Sequence, residues 1–356
     1  MIGETKRKSL PAIARVVGLD NHQSLHRFLT DSPWSVPQLR QRQLEIILQI
    51  LEGRSLILLV DETGDCKKGH STDYVKRQYI GNVGNVGKRE NGIVAVTAYR
   101  LFQGMVLPLT FEVYKSRERL QPGDEYQSKP QVAATMIRYL QGLGFHFNLV
   151  LADNLYGEAK TTFVNMLDEL ELPYILAIRS NHGLWLPKDH EVVSEPWQTF
   201  TRTFNNGTNG TTETRYQQEV ICGHRRQKRY WLLTTDPETL PDNSTSCVMM
   251  NAPAIKLDEI GDSYGFRTWI EYGLKQVKDA LGWPDFRMTH YSQIEKWWEM
   301  VMSAFLMVSL FADAFNEACP LAYQQFAQHP WWEYQGGWKN LLNNLRLIIQ
   351  PLICFN

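Results

Sequence analysis

The chain has 356 residues, 43% of them hydrophobic, and its formal net charge at pH 7 is −1. These values are typical of a protein with a sizeable core and exclude a chain that is basic throughout, so a nucleic acid would have to bind a local basic surface. The five cysteines have no C-x2-C spacing, which argues against a zinc knuckle and a disulfide framework, and no signal peptide opens the chain. We therefore expect a protein of the reducing cytoplasm.

Residues 1–53 are predicted to form a separate helical region. Apolar residues recur at helical spacing over Lys8–Val17, Asn21–Leu29 and Val36–Leu51, and Gly18 and Pro33 lie in the breaks between these segments. Seven basic and five acidic residues give the region a net charge of about +2. This modest bias suits a DNA-binding helix-turn-helix module, and a plain helical cap on the rest of the protein is an equally good interpretation.

Residues 54–180 alternate between strand and helix patterns. The strands are predicted at Leu56–Val60, Gly92–Phe102, Met105–Tyr114, Phe147–Ala152 and Tyr174–Arg179, with a hairpin turn at Gln103-Gly104. Helices are predicted at Pro130–Gly142 and Glu158–Leu170. This alternation predicts an α/β fold, in which a mixed sheet is flanked by helices.

Residues 181–262 are rich in asparagine, threonine, glycine and proline, and are predicted to form a β-rich insertion with strands at Arg215–Cys222 and Lys228–Thr234. The basic residues between these strands form either a solvated hairpin tip or a phosphate contact. Residues 263–318 are predicted to complete the core and residues 319–356 to form a helical tail. The apolar window Trp297–Phe315 contains Glu299 and Asp313, so it predicts a core helix, because a membrane span needs about 20 uncharged residues.

Two aspartates follow short apolar runs. Asp61 comes after Ser55–Val60, and Asp153 comes after Phe147–Ala152. Such runs are typical of buried central strands, and a carboxylate at the end of one faces the crevice where open α/β sheets bind ligands. One such aspartate is usually a helix cap or a loop residue. Two of them, together with Glu271 on a basic helix, predict a metal-binding trio.

The glutamate helix carries cations around its acid. At roughly 100° per residue, Arg267, Glu271, Lys275 and Lys278 fall within an arc of about 80°, and Tyr264 lands on the same arc. Glutamate and lysine pairs at this spacing also occur on ordinary surface helices. The two upstream aspartates favour a functional interpretation.

These residue types suit phosphoryl transfer. Mg²⁺ prefers carboxylate oxygens and commonly completes its coordination with substrate phosphates. Two such ions about 4 Å apart can activate the attacking oxygen and stabilise the leaving oxygen of an in-line displacement. Arginine and lysine beside them would hold the phosphodiester. The trio therefore predicts cleavage or transfer of a nucleic-acid strand.

The residues also carry a resemblance to a known family. Asp61, Asp153 and Glu271 resemble the acidic triad of the DDE superfamily transposases, whose catalytic core is RNase H-like. The class of bacterial insertion-sequence transposases with a Y-x2-R-x3-E-x6-K signature is matched by Tyr264, Arg267, Glu271 and Lys278. The segments DETGDCKKG from Asp61 and ADNLYG from Ala152 resemble the same class. The resemblance runs from about Leu25 to about Phe315.

The resemblance implies an RNase H-like fold and a cut-and-paste transposase that cleaves DNA at element ends and transfers the strands into target DNA. Asp61 would bridge two Mg²⁺ ions, for which Mn²⁺ could substitute. Asp153 would bind one of these ions, and Glu271 would complete the other side of the metal centre. The partners would be double-stranded DNA and a second copy of the chain in a synaptic homodimer, with no membrane. The phosphates would be held by Tyr264, Arg267 and Lys278, with a basic track that includes Lys67, Lys68, Arg77, Lys88 and Lys275.

Three other interpretations are compatible with parts of the pattern. An RNase H-like nuclease would cut without joining, and a domesticated DNA-binding protein would leave the chemistry unused. A glycosidase carboxylate pair explains neither the basic helix nor the third acid. The intact trio of Asp61, Asp153 and Glu271 argues against an inactive protein.

Overall fold

The computed structural model describes residues 1–3, 5–80, 89–102, 105–182, 192–204, 211–222, 228–256, 259–318 and 337–349. Three helices open the chain, namely α1 (Leu10–Val16), α2 (Gln23–Thr30) and α3 (Val36–Leu51). The core strands and helices that follow are β1 (Leu56–Cys66), β2 (Lys76–Tyr79), β3 (Arg89–Phe102), β4 (Met105–Val113), α4 (Lys129–Gly142), β5 (Phe147–Ala152), α5 (Asn154–Gly157), α6 (Asn165–Glu169) and β6 (Tyr174–Ile178).

The second half of the described chain begins with strands and ends with helices. Its strands are β7 (Val192–Ser194), β8 (Gln198–Phe204), β9 (Thr211–Cys222), β10 (Arg229–Thr234) and β11 (Ser246–Asn251). Its helices are α7 (Ile260–Gly265), α8 (Thr268–Asp279), α9 (Tyr291–Ala318) and α10 (Trp338–Ile349).

Strand β1 lies inside a mixed sheet. Strands β4, β3 and β1 are antiparallel neighbours, and β5 and β6 extend the sheet parallel to β1. Helices α5 and α6 connect β5 to β6, as a parallel pair requires. The predicted mixed sheet flanked by helices is confirmed.

The β-rich insertion before the glutamate helix is also confirmed, and its strands continue the same sheet. Strand β11 pairs antiparallel with β6, and β10, β9 and β7 follow in that order, with β8 paired to the long β9. The division of the chain into domains at residues 53, 180, 262 and 318 stays a prediction.

Two apolar cores lie on opposite faces of the sheet, because successive strand residues point to opposite sides. Leu59 of β1 belongs to the core beneath α8 and α9, and Leu58 and Val60 belong to the core beneath α4. In the first core the rings of Trp283 and Trp298 stack with centroids 4.5 Å apart. The predicted core helix within Trp297–Phe315 is part of α9.

The N-terminal helices pack on this body. Arg40 of α3 donates to Glu299 of α9 over 2.9 Å and to Glu295 over 3.3 Å, and Leu44 and Ile47 are buried in the core beneath α4. None of the described helices combines the length and the hydropathy that a membrane crossing requires.

Strand β1 is longer than predicted. The sequence pattern ends the strand before Asp61, and this is wrong, because pairing with β3 continues to Cys66. The parallel partner β5 pairs with β1 only as far as Val60↔Ala152. Buried Thr63 and Asp65 interrupt the apolar run, so the pattern hid the second half of the strand.

The glutamate helix is not continuous. Helix α7 ends at Gly265, Arg267 is the N-cap residue of α8, and the hydroxyl of Thr268 donates to the carbonyl of Gly265 over 2.8 Å. The single helix predicted over Glu158–Leu170 is likewise divided, since a π-helical turn at Lys160–Val164 precedes α6.

Some predicted features lie outside the described residues. These are the hairpin turn Gln103-Gly104, Lys88, the basic pair Arg225-Arg226, and the tail apart from residues 337–349.

Gly157 allows α5 to approach β6 closely, so we predict that Gly157→Ala destabilises the fold. A Cβ atom at Gly157 would overlap the carbonyl oxygen of Ala177. We expect a loss of about 2–3 kcal/mol in the free energy of unfolding, as for overpacking of a rigid site. Urea unfolding measures the loss.

Gly142→Ala is the matched control. A Cβ atom at Gly142 meets nothing within 4 Å, so this exchange at the end of α4 should leave stability unchanged or raise it by about 0.5 kcal/mol. Equal stabilities of the two variants would contradict the close approach.

Candidate active site

Asp61 and Asp153 are neighbours at one edge of the parallel part of the sheet. Val60 pairs with Ala152 in the parallel register of β1 and β5, and each aspartate is the next residue of its chain segment. The backbone of Asp61 is fixed by the hydroxyl of Thr97, which donates to its carbonyl over 2.9 Å. The parallel register therefore brings the two predicted acids together.

Asp153 is the N-cap residue of α5. Its side chain accepts the backbone N–H of Leu155 over 2.9 Å. This contact is the ordinary task of an aspartate at a helix start. It uses Oδ1, and it fixes the carboxylate beside the point where β1 and β5 stop pairing.

Arg267 connects β1 to the glutamate helix. Its guanidinium lies 3.7 Å from Oδ2 of Asp61 and 3.3 Å from Oε1 of Glu271. The Asp61 and Arg267 side chains are 15% and 20% exposed, whereas the Glu271 side chain is 57% exposed. The half-buried pair of Asp61 and Arg267 therefore carries most of the electrostatic coupling, since exposed ion pairs contribute little.

The two aspartates resist ionisation. Burial raises the pKa of Asp61 to about 7, the Arg267 guanidinium acts in the opposite direction, and the charges of Asp153 and Glu62 raise the pKa further. Burial also raises the pKa of Asp153, helped by Glu62 and opposed by Arg267. Two buried carboxylates of this kind are stabilised in their ionised form by a cation.

The donor set fits a divalent cation at the aspartate pair. Asp61 and Asp153 offer the oxygen ligands that hard cations prefer, and they repel each other without a cation. Glu271 is linked to Asp61 through Arg267, which is the counter-ion of both carboxylates. Among the described residues, no group of three histidine, cysteine, aspartate or glutamate side chains is arranged to hold a metal ion. Metal binding by all three acids stays a prediction.

Tyr264 belongs to the same cluster. Burial raises the pKa of its phenol, the neighbouring Arg267 opposes this shift, and the charge of Asp153 adds to it. Arg202, which comes from β8 of the insertion, donates to the hydroxyl of Thr268 over 3.4 Å. The cluster thus joins the middle of β1, the residue after β5, the start of α8 and the insertion.

Some of the other predicted DNA contacts have partners within the protein, and others are exposed. Lys278 donates to the carbonyl of Gly64 over 2.9 Å, and Lys67 lies 3.4 Å above the ring centroid of Phe286. The exposed residues of this set are Lys68, Arg77 and Lys275, and Arg77 also donates to the carbonyl of Arg89 over 3.3 Å. Lys88 lies outside the described residues.

Glu62 is a site residue that the sequence reasoning missed. Lys129 of α4 donates to its carboxylate over 3.0 Å, and the hydroxyl of buried Tyr156 donates over 3.3 Å. Its charge acts on both Asp61 and Asp153. The clue in the sequence is its place directly after Asp61, together with Tyr156 three residues after Asp153.

Comparisons with known proteins agree with this geometry. The sequence model of the DDE superfamily endonuclease family matches residues 1–231, a range that holds both aspartates and ends before Glu271. A probable transposase for insertion sequence element IS701 from Microchaete diplosiphon is 58% identical over 295 residues, which are 83% of this chain and 76% of that protein.

One solved structure is similar over a limited region. The Mos1 transposase paired-end complex with left transposon end is 13% identical, and the match covers 47% of this chain. The chain matches about half, 53%, of the length of that protein, with a TM-score of 0.18. A similarity at this level carries no weight for the fold.

The raised pKa of Asp61 leads us to predict that Asp61→Asn stabilises the metal-free fold at high pH. The folded-state pKa of about 7 exceeds the unfolded value, so stability from this carboxyl is full below pH 4 and is lost as the pH rises through 7. At pH 8 the variant should exceed the wild type by on the order of 2–4 kcal/mol, and at pH 4 the two should agree. Thermal unfolding with a chelator measures this difference.

Asp236→Asn is the control with the opposite sign. The hydroxyl of Thr239, which donates to Asp236, lowers the pKa of that exposed carboxyl. This variant should therefore become less stable than the wild type as the pH rises from 3 to 5. A stability difference for Asp61→Asn that does not change with pH would contradict the assignment of a buried, ionising Asp61.

Proposed function

This chain belongs to the DDE superfamily endonuclease family, and we propose that it is a DNA transposase that cuts DNA at element ends and joins those ends to target DNA in a cut-and-paste reaction. The observation that carries the proposal is the position of Asp61 and Asp153 side by side, directly after the last parallel pair of β1 and β5, with Arg267 between Asp61 and Glu271. The 58% identical insertion-sequence transposase supports it.

The acids would hold divalent cations. Asp61, Asp153 and Glu271 would together hold two Mg²⁺ ions, for which Mn²⁺ could substitute. When bound, such ions supply activation of the attacking oxygen and stabilisation of the leaving oxygen. The chain itself contributes the fixed orientation of two buried carboxylates, because the parallel register and the N-cap contact of Asp153 hold them before DNA arrives.

Arg267 would hold a phosphate next to the reacting bond. A guanidinium binds phosphate in a bidentate geometry, and this one is already oriented by Asp61 and Glu271. Tyr264 lies beside it and would donate its phenolic proton to a second phosphate oxygen, since burial keeps the phenol protonated. Lys278 would contact the flanking phosphate near the end of α8.

Double-stranded DNA would follow a local basic track, because the net charge of −1 gives no general attraction. The track comprises Lys67, Lys68, Arg77, Lys88 and Lys275. Two copies of the chain would act together in the synaptic complex, since a mobile element has two ends. The protein would act in the bacterial cytoplasm, on the nucleoid.

Conservative exchange of either aspartate tests the reaction. Asp61→Asn and Asp153→Asn keep the side-chain size but remove ligand charge, so cleavage of an element end should fall by at least about 100-fold. Binding of the same DNA should stay within about threefold, because the basic residues are retained. Gel assays of cleavage, joining and binding measure the three quantities.

Asp168→Asn is the control for these variants. Asp168 is a half-buried carboxylate that accepts from Tyr174 over 3.0 Å and pairs with Lys228 at 2.8 Å, away from the site. Its exchange should leave cleavage within about threefold. Normal cleavage by Asp61→Asn would eliminate the proposed triad. Cleavage without joining by the wild type would show that the protein is a nuclease and not a transposase.

Arg267→Ala tests the phosphate role. Loss of a preorganised guanidinium should slow joining of pre-cleaved ends by at least about 100-fold, mostly in the rate of the chemical step. Arg138→Ala, which removes an exposed ion pair with Glu169, should change the rate by less than about fivefold. Near wild-type joining by Arg267→Ala would return Tyr264, Arg267 and Lys278 to a structural role.

A further inference from the structure

Asp65 is a buried carboxylate that the proposed reaction does not use. It lies on β1 and is 5% exposed, and its side chain points to the same face as that of Asp61, since residues four apart on a strand share a face. Its Oδ2 atom and the Nε1 atom of Trp283 each lack a hydrogen bond of normal geometry among the described residues. The Trp283 indole nevertheless lies close enough to Asp65 to lower the pKa of that carboxyl. A buried carboxylate in this condition requires an electrostatic partner.

Two lysines supply that partner. Burial raises the pKa of Asp65 to about 6, the charges of Lys278 and Lys67 oppose the shift, and Asp285 reinforces it. Lys278 comes from the last turn of α8, and its ammonium donates to the carbonyl of Gly64, the residue before Asp65. Lys278 therefore approaches the end of β1 both through a hydrogen bond and through charge.

Lys67 is held elsewhere. Its ammonium lies over the ring of Phe286 and donates to the carbonyl of Pro284 over 3.4 Å. Its side chain therefore packs on the loop that follows α8. Of the two lysines near Asp65, Lys278 is the one through which the carboxylate acts on the helix that carries Glu271.

Helix α8 is fixed to β1 at two places. Arg267 contacts Asp61 at the start of the helix, and Lys278 contacts Gly64 near its end, with Glu271 between them. We propose that Asp65 is a positioning residue for the reaction, whose charge holds Lys278 and the end of α8 on β1 so that Glu271 and the Lys278 ammonium are correctly placed. This inference rests on the proposed function of the same site.

The hydrogen bond to Gly64 does not use all the donors of Lys278. An ammonium carries three donors, so the hydrogen bond to Gly64 is compatible with a contact to a DNA phosphate. Asp65 would thus orient a DNA-binding side chain without touching DNA. The closest chemical precedent within the chain is Arg267, which Asp61 orients in the same way at the other end of the helix.

Hydrogen exchange tests the coupling of Asp65 to Lys278 without DNA. In the full-length protein, Asp65→Asn should speed amide exchange in the second half of α8, residues 274–279, by about fivefold or more, with α4 unchanged. Lys278→Gln should give the same increase. Because Lys278 is only half-buried, this second variant keeps the test open if Asp65→Asn does not fold. Unchanged exchange in α8 would overturn the inference whether or not the chain is a transposase.

A double-mutant cycle tests the effect on the reaction. Asp65→Asn and Lys278→Gln should each lower kcat for end cleavage about tenfold, with the KM for DNA within about threefold. The kcat of the double variant should lie within about twofold of the kcat of either single variant, because Asp65 acts through Lys278. Roughly hundredfold loss in the double variant would mean independent roles, and that result would overturn the inference.

Asp285→Asn is the matched control. It removes a carboxylate from the same region, but Asp285 binds the backbone N–H of Lys8 and the guanidinium of Arg7 rather than α8. Its kcat should stay within about twofold of the wild type, and its exchange in residues 274–279 should not change. If the wild type does not cleave DNA in the same assay, the proposed function fails. If the wild type cleaves and Asp65→Asn cleaves equally fast, only the positioning role fails.

Discussion

The contact between Arg267 and Asp61 is the interaction on which the site depends. It joins a strand of the central sheet to the helix that bears Glu271, across 206 residues of sequence. Removing the guanidinium would leave the charges of Asp61 and Asp153 without the cation that offsets part of the cost of their burial. The two buried aspartates are therefore compatible with a folded chain because a guanidinium, fixed at the start of α8, lies beside them.

The insertion helps to place that guanidinium. Strand β9 provides Gln217, whose side chain accepts the backbone N–H of Gly261 over 3.0 Å, and Phe200 of β8 packs against the same glycine. A Cβ atom at Gly261 would meet the Phe200 ring within 2.6 Å, so α7 approaches the insertion as closely as the backbone allows. Since Arg267 follows α7 directly, strands that look peripheral in the sequence set the position of the central cation.

The sequence predicted the parts of this fold that have one strong pattern. Helix α3 and strand β5 have the predicted bounds, because apolar periodicity and a clear turn residue agree there. The pattern failed where polar residues are buried in a strand, as at Thr63 and Asp65, and where a helix is interrupted by a tight turn, as at Gly265. It could not show that β11 pairs with β6, because long-range pairing leaves no local signal.

The residues of the site likewise divide into those that the sequence pattern identified and those that it did not. Asp61 and Asp153 were recognisable because each follows a short apolar run, and Arg267 because it belongs to a regular motif. Glu62 was not recognisable, since a glutamate after an aspartate is ordinary in sequence. The structure also changes how the basic residues of the site are interpreted. Arg267, Lys67 and Lys278 already have partners in the protein, so the conformational entropy of these long side chains is lost on folding rather than on DNA binding. A chain of net charge −1 can therefore bind a polyanion at one defined place, through a few oriented cations instead of an excess of charge.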